Sequence, residues 1–193
     1  MALRVTLSRL VVAFAACSAM QASTIDFNTL SGSNNDPFTT YTENGFTVTN
    51  TAGSWKVATL FGNPVPDLFC FLCNSGTLEV TGGLFNFDSV DLGNPGVAPF
   101  TYTVTGFLGG LQVLTESGTN PAASNTFATI LSSNAGQVLD KLDITIDTAT
   151  TDGNVDNIVL NRVPEPGTLG LLLCGLGALG LLSRRPIRRR PSA

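Results

Sequence analysis

Between Ile25 and Leu160 apolar and polar residues alternate with a period of two, and no 3.6-residue apolar stripe runs through this stretch. "GFTVTN" (Gly45 to Asn50), "TLEVTG" (Thr77 to Gly82) and "FTYTVTGF" (Phe100 to Phe107) each alternate as a half-buried strand must, because successive side chains point to opposite faces. In the third, Phe100, Tyr102 and Val104 share the predicted core face. "LFNFDSVDLG" (Leu84 to Gly93) places Phe85 and Phe87 inward, followed less regularly by Val90 or Leu92. "LDKLDITIDT" (Leu139 to Thr148) sets Leu142, Ile144 and Ile146 against Asp143, Thr145 and Asp147, and "VDNIVL" (Val155 to Leu160) reads as a closing strand. Between these segments lie "ENG", "GNP", "NSG", "TGG", "TNP" and "TDGN", in which Gly and Asn supply positive φ and Pro fixes it. Short strands with turn signals at this spacing predict an all-β fold, an antiparallel β-sandwich or jelly roll. No repeat of solenoid period is present, which disfavours a propeller or β-helix.

The two ends break the alternation. "MALRVTLSRLVVAFAACSAMQAS" has two arginines, an apolar stretch from Leu10 to Ala16 and then small residues, the three-part pattern of a secretory signal peptide over residues 1–22. Cleavage fits after Ala22 or after Ala19. A rival reading takes "FAAC" as a lipoprotein box with Cys17 lipidated, although Phe14 stands where an aliphatic residue is usual. At the other end "TLGLLLCGLGALGLLS" (Thr168 to Ser183) is uncharged, and its 16 residues make a helix of about 24 Å at roughly 1.5 Å per residue. That is slightly short of a bilayer core, and Pro166, Gly167 and snorkelling arginines extend it. Arg184, Arg185, Arg188, Arg189 and Arg190 then place the tail in the cytoplasm and the body outside, by the positive-inside rule. The expected organisation is a signal peptide at 1–22, a β-sandwich ectodomain at 23–161 and a C-terminal segment at 162–193 containing a transmembrane helix.

Charge sharpens this division. The chain's formal net charge of −4 hides an asymmetry, because from Ser23 to Asn161 thirteen acids face only Lys56 and Lys141, a balance of −11. Such a surface repels phosphate backbones, so nucleic acid is excluded as a partner. In the exported part only Cys70 and Cys73 remain, in "DLFCFLCNSG". A redox site, half a zinc site and a small structural disulfide are the readings of this C-x-x-C pair. The chain has no histidine and no second cysteine pair for zinc, and Phe69, Phe71 and Leu72 offer no positive charge to activate a thiol. The favoured reading is a disulfide that shapes one turn.

Catalytic chemistry finds little support. Without histidine the Ser-His-Asp and Cys-His arrangements are impossible, and Glu43, Glu79 and Glu116, the only glutamates of the body, show no spacing that marks a glycosidase pair. No residue is assigned a catalytic role. In "DTATTDGNVDNI" the oxygens of Asp152, Asn154, Asp156 and Asn157, joined by Asp26 if the first and last strands meet, are a tentative Ca²⁺ set. A glycine-centred turn with local Asx bonding explains the same residues. Trp55, Tyr41 and Tyr102 are candidate sugar-stacking aromatics, with core packing the commoner fate for Trp55 and Tyr102.

Val163, Pro164, Glu165 and Pro166, followed by Gly167 and Thr168, a Leu/Gly-rich span and an Arg-rich tail, resemble the PEP-CTERM sorting signal of Gram-negative bacteria. The resemblance implies recognition of Pro164, Glu165 and Pro166 by an exosortase, a membrane-embedded cysteine-dependent enzyme that removes the tail, after passage through the secretion translocon. Two prolines keep the motif extended and clear of the helix. The body, in "GFTVT", "FDSVDLG", "TYTVTGFLGG" and "VDNIVL", is similar to the β-sandwich domains found ahead of such tails, and the Asp-Asn-Ile pattern to galactose-binding-like jelly rolls. These resemblances imply a non-enzymatic envelope or matrix protein linked to exopolysaccharide and biofilm, located at the cell surface or outside it. A carbohydrate-binding module and a secreted hydrolase are the alternatives.

Overall fold

The computed structural model describes residues 21–96, 98–147 and 152–163. The expected signal peptide up to residue 20, the sorting motif Pro164, Glu165 and Pro166, the apolar span and the arginine tail lie outside the described residues. Within them the chain forms β-strands and no helix.

In chain order the strands are β1 (Gln21–Ile25), β2 (Thr40–Glu43), β3 (Phe46–Ala52), β4 (Trp55–Ala58), β5 (Asp67–Cys70), β6 (Gly76–Asn94), β7 (Thr101–Leu108), β8 (Leu111–Thr119), β9 (Thr126–Leu131), β10 (Val138–Asp147) and β11 (Gly153–Arg162). All pairings are antiparallel, along the order β4-β5-β11-β6-β10-β7-β8, with β1 on β11, β2 on β3, β3 on β6 and β9 on β6. The predicted antiparallel all-β fold is the one observed.

One correction concerns β6. "TLEVTG" and "LFNFDSVDLG", read from the sequence as two strands separated by a turn at "TGG", are a single strand of 19 residues. The signal behind the turn reading is real: Gly82 and Gly83 have φ of 154° and 82°, the second in a region that side chains avoid. Here the glycines redirect a continuous strand. Its first half pairs with β3 and β10, and its second half with β11 and β9, so the two layers of the sandwich share this strand. A register shift in the pairing with β11 accounts for the irregular alternation after Phe87.

Inward residues of both layers meet in one apolar cluster that includes Ile25, Phe27, Phe46, Leu78, Val80, Phe85, Phe87, Leu92, Leu142, Ile144, Val155 and Leu160. Phe46 meets Phe85 edge-on at 5.4 Å between centroids. Trp55 is 1 % exposed and belongs to this core, the commoner fate of such a residue, and Tyr41 and Tyr102 are half-buried against it.

Candidate ligand-binding cleft

The residues of interest stand on the opposite face of β5, β11, β6 and β9. On β11, Val155 points into the core, and alternation therefore sends Asn154 and Asp156 to the other side. Asp156 is directly opposite Asp91 of β6, and Asp91 is opposite Thr129 of β9. Val155 is opposite Leu68, which brings Asp67 of β5 alongside Asp156. Three carboxylates thus lie in one row across three strands, although the sequence spreads them over 90 residues.

The row is held by amides and backbone N–H groups. Asn63 donates its backbone N–H to Asp156 Oδ2 at 2.8 Å, and Asn157 its own to Asp156 Oδ1 at 2.8 Å. Asn157 Nδ2 donates to Asp91 Oδ2 at 2.9 Å and to the Asn63 carbonyl at 2.6 Å, Asn63 Nδ2 donates to Asp91 Oδ2 at 3.2 Å, and Thr129 Oγ1 donates to Asp91 Oδ1 at 2.6 Å. Asn154 Nδ2 donates to Asp67 Oδ2 at 2.7 Å, while Asp67 Oδ1 and Asn154 Oδ1 are buried without a hydrogen-bond partner. Burial pushes the Asp67 carboxyl up to about 9; the Asn154 bond pulls it down and the Asp156 charge raises it again. Asp156 is pushed up to about 7, chiefly by burial, opposed by its two backbone N–H donors and reinforced by Asp91 and Asp26.

Over this row the 59–66 connection crosses and leaves a cleft of about 220 Å³ beside it, lined by Asn34, Leu60, Phe61, Phe69, Phe71 and Asp152 among others. Phe61 stacks on Phe127 at 4.9 Å and 21°. Phe127 in turn lies over Gly93, where a Cβ would come within 2.6 Å of its ring. Phe69 and Phe71 meet edge-on at 6.2 Å, and Lys56 Nζ sits 4.3 Å from the Phe71 centroid. Asn34 accepts the Thr59 N–H at its Oδ1, and Asp152 accepts the Leu72 N–H at its Oδ1, so each has its second polar atom left to offer. Cys70 and Cys73 are joined as a disulfide with Cα atoms 5.5 Å apart, and the turn they close holds Phe71 and Leu72, the latter 64 % exposed, at the rim.

Four of the five residues singled out for Ca²⁺ lie on or just before β11. Asp152 and Asn154 both line the cleft, Asp156 is directly opposite Asp91, and Asn157 stands at a left-handed position (φ 44°) bonded to Asp91. Asp26 accepts the Asn28 N–H in a local turn. Among the described residues no group of three or more acidic, His or Cys side chains is placed to hold a metal ion. Sequence reasoning missed Asp67 and Asp91, which join the site through strand register, and Asn63 and Phe61, which the 59–66 connection carries to it. Of the glutamates, Glu43 accepts the Asp26 and Phe27 N–H groups, Glu79 pairs with Lys141 at 3.2 Å, and Glu116 accepts from Ser132, Ser133 and Asn134.

The described part of the chain is therefore an antiparallel β-sandwich domain. The PEP-CTERM protein-sorting motif matches residues 162–190, so this domain is followed by a sorting tail that implies export. No curated protein matches the chain. Among solved structures the chain is similar to a mutant of CBM29-2, a family 29 carbohydrate-binding module, at 15 % identity and a TM-score of 0.43, covering 74 % of this chain and 93 % of that one. It is also similar to the MgGH51 α-L-arabinofuranosidase, at 11 % identity and a TM-score of 0.43, covering 64 % of this chain and only 25 % of that enzyme. A third likeness is to a Ruminococcus gnavus GH29 fucosidase, at 15 % identity and a TM-score of 0.41, covering 64 % of this chain and 26 % of the other.

Proposed function

We propose that this is an exported protein of the cell envelope or extracellular matrix, delivered by an exosortase-type enzyme that reads Pro164, Glu165 and Pro166, with a non-enzymatic adhesive role for its β-sandwich. The observation that carries this reading is the sorting motif over residues 162–190. The absence of histidine, which removes the usual general base, supports the non-enzymatic part. Signal peptide at 1–22, ectodomain at 23–161 and tail at 162–193 is the organisation that goes with it. The test is intact mass and fractionation in the native host of the wild type and of a variant with Pro164, Glu165 and Pro166 all changed to Ala. Loss of the tail from the wild type and its retention in the inner-membrane variant are expected; a wild type that keeps Arg184 to Arg190 overturns the sorted reading in favour of a simple anchor.

A second reading, that the domain binds carbohydrate, is favoured by one observation: the cleft sets Phe61, Phe69 and Phe71 beside the amide of Asn34 and the carboxylate of Asp152. Apolar ring faces next to a few fixed polar groups are what a sugar presents its own two kinds of surface to. Trp55, Tyr41 and Tyr102 play no part in this surface, because the core takes the first and half-buries the others. Co-sedimentation of the full-length protein with the host's own exopolysaccharide tests it, and an absence of co-sedimentation removes it.

A further inference from the structure

We infer that the cleft between the 59–66 connection and the disulfide turn takes a single neutral sugar ring, and that it rejects acidic sugars. The inference rests on the carbohydrate reading above and narrows it. Three features of the cleft carry it: size, ring faces and the sign of its charge.

The volume of about 220 Å³ lies below the range of roughly 300 to 1,000 Å³ usual for drug-sized ligands, which restricts the occupant to about one ring. The rings of its wall are each packed against a neighbour. Phe61 is backed by Phe127, and Lys56 covers one face of Phe71, so only the other face is left for a ligand. Phe71 is itself 38 % exposed at the end of the disulfide turn. A C–H-rich sugar face stacks on such a ring without a charge requirement.

The polar groups are equally specific. Asn34 Oδ1 is committed to the Thr59 N–H, which leaves the amide nitrogen as a donor, and Asp152 Oδ1 is committed to the Leu72 N–H, which leaves Oδ2 as an acceptor. This donor and this acceptor, with Asn35 and Asn154 also on the lining, suit vicinal hydroxyls, each of which both donates and accepts. Among the described residues no Lys or Arg lines the cleft, and the Lys56 ammonium lies 4.3 Å from the Phe71 centroid. A uronate carboxylate would face Asp152, a like-charge contact in a half-enclosed site, while the Lys56 ammonium is held against the Phe71 ring and does not line the cleft.

Isothermal titration of the full-length chain in detergent with methyl glucoside, methyl galactoside and methyl mannoside, against glucuronic and galacturonic acid, tests this. At least one neutral glycoside is expected to bind, with either acid weaker by roughly tenfold or more. Phe71→Ala is expected to weaken the neutral ligand by roughly tenfold, the loss of one stacking contact. Asp152→Asn, which retains Oδ1 for Leu72, is expected to narrow the gap between neutral and acidic sugars. Phe107→Ala, under Lys141 on β7, should change nothing. Equal or tighter binding of the uronates, or a Phe71→Ala protein that binds like wild type, overturns the assignment. If the Phe71→Ala protein still co-sediments with exopolysaccharide like wild type, the carbohydrate reading survives and this cleft is not its site; if the wild type does not co-sediment, both fall together.

Discussion

Asn154 on β11 donates its amide N–H to Asp67 Oδ2 on β5 at 2.7 Å, and the remaining oxygen of each side chain is buried with no partner. A proton on Asp67 supplies this buried pair with a second donor, since a carboxylic acid and a primary amide can exchange one hydrogen bond each way. Its carboxyl, raised to about 9 by burial, is in that state at neutral pH.

A pH dependence follows, with a sign opposite to the usual acid denaturation. Folded Asp67 holds its proton up to about pH 9, whereas unfolded Asp67 releases it near 3.8. The stability it contributes is therefore fully present below about pH 4 and declines as pH rises to about 9, at about 1.4 kcal/mol per pH unit for one proton. Asp156, with its folded value near 7, adds a second decline between about pH 4 and 7. Urea unfolding at pH 5, 7 and 9 should show stability falling along the series, and a rise would contradict the protonated pair.

Asp67→Asn tests the same pair without changing pH. An amide at position 67 donates to Asn154 Oδ1 and accepts from its Nδ2, as the protonated acid does. The variant should equal or exceed wild-type stability at pH 8 and lose most of the pH slope. A variant that unfolds more easily at pH 8, together with Ca²⁺ stabilising only the wild type in thermal melts, would mean that a cation occupies these oxygens.

Gly93→Ala should cost about 1–3 kcal/mol, since the new methyl would meet the Phe127 ring at 2.6 Å and the Asn154 Cβ at 3.0 Å. Because Phe127 backs Phe61, the displacement should also reach the cleft. Denaturant unfolding gives the first effect and sugar titration the second; wild-type behaviour in both would mean that the ring moves aside freely.

Asn157→Ala and Asn157→Gly separate backbone from side chain. The residue adopts φ 44° and its amide ties Asp91 to the Asn63 carbonyl. Alanine loses both the conformation and the ties, at about 2–4 kcal/mol, whereas glycine recovers about 1 kcal/mol of backbone strain. Equal stabilities would show that the left-handed position carries no strain.

Reducing the Cys70–Cys73 disulfide should cost about 2 kcal/mol, the chain-entropy value for so short a loop. Trp55 is directly opposite Cys70 in the β4–β5 ladder, so its fluorescence reports the change. An unaltered unfolding midpoint with and without a dithiol reductant would count against this contribution.

How far the sequence could be read depended on the kind of order involved. Alternation exposed β3, β7, β10 and β11, because a strand with one buried face writes its period directly into the residues. It did not reveal β4, β5 or β9. β5, "DLFC", is buried at every position and so has no period to show. Gly82 and Gly83 gave a correct local signal and an incorrect break, since two glycines bend a strand as readily as they end one. Asp156 and Asn154 were picked out by their own neighbourhood. Asp67 and Asp91, which complete their surroundings, depend on pairing across 65 to 90 residues, which the residues next to each of them do not show.

The route by which the sandwich meets its sorting tail has a mechanical side. β11 is hydrogen-bonded on both edges, to β6 along one and to β5 and β1 along the other, and Val163 just beyond it donates its N–H to the Leu84 carbonyl at 3.0 Å. A pull arriving from the tail is thus taken up by an interior strand, and through β6 by both layers at once, instead of by a free edge that would peel. A domain tethered or tugged from its C-terminus in this way yields as a unit or holds as a unit.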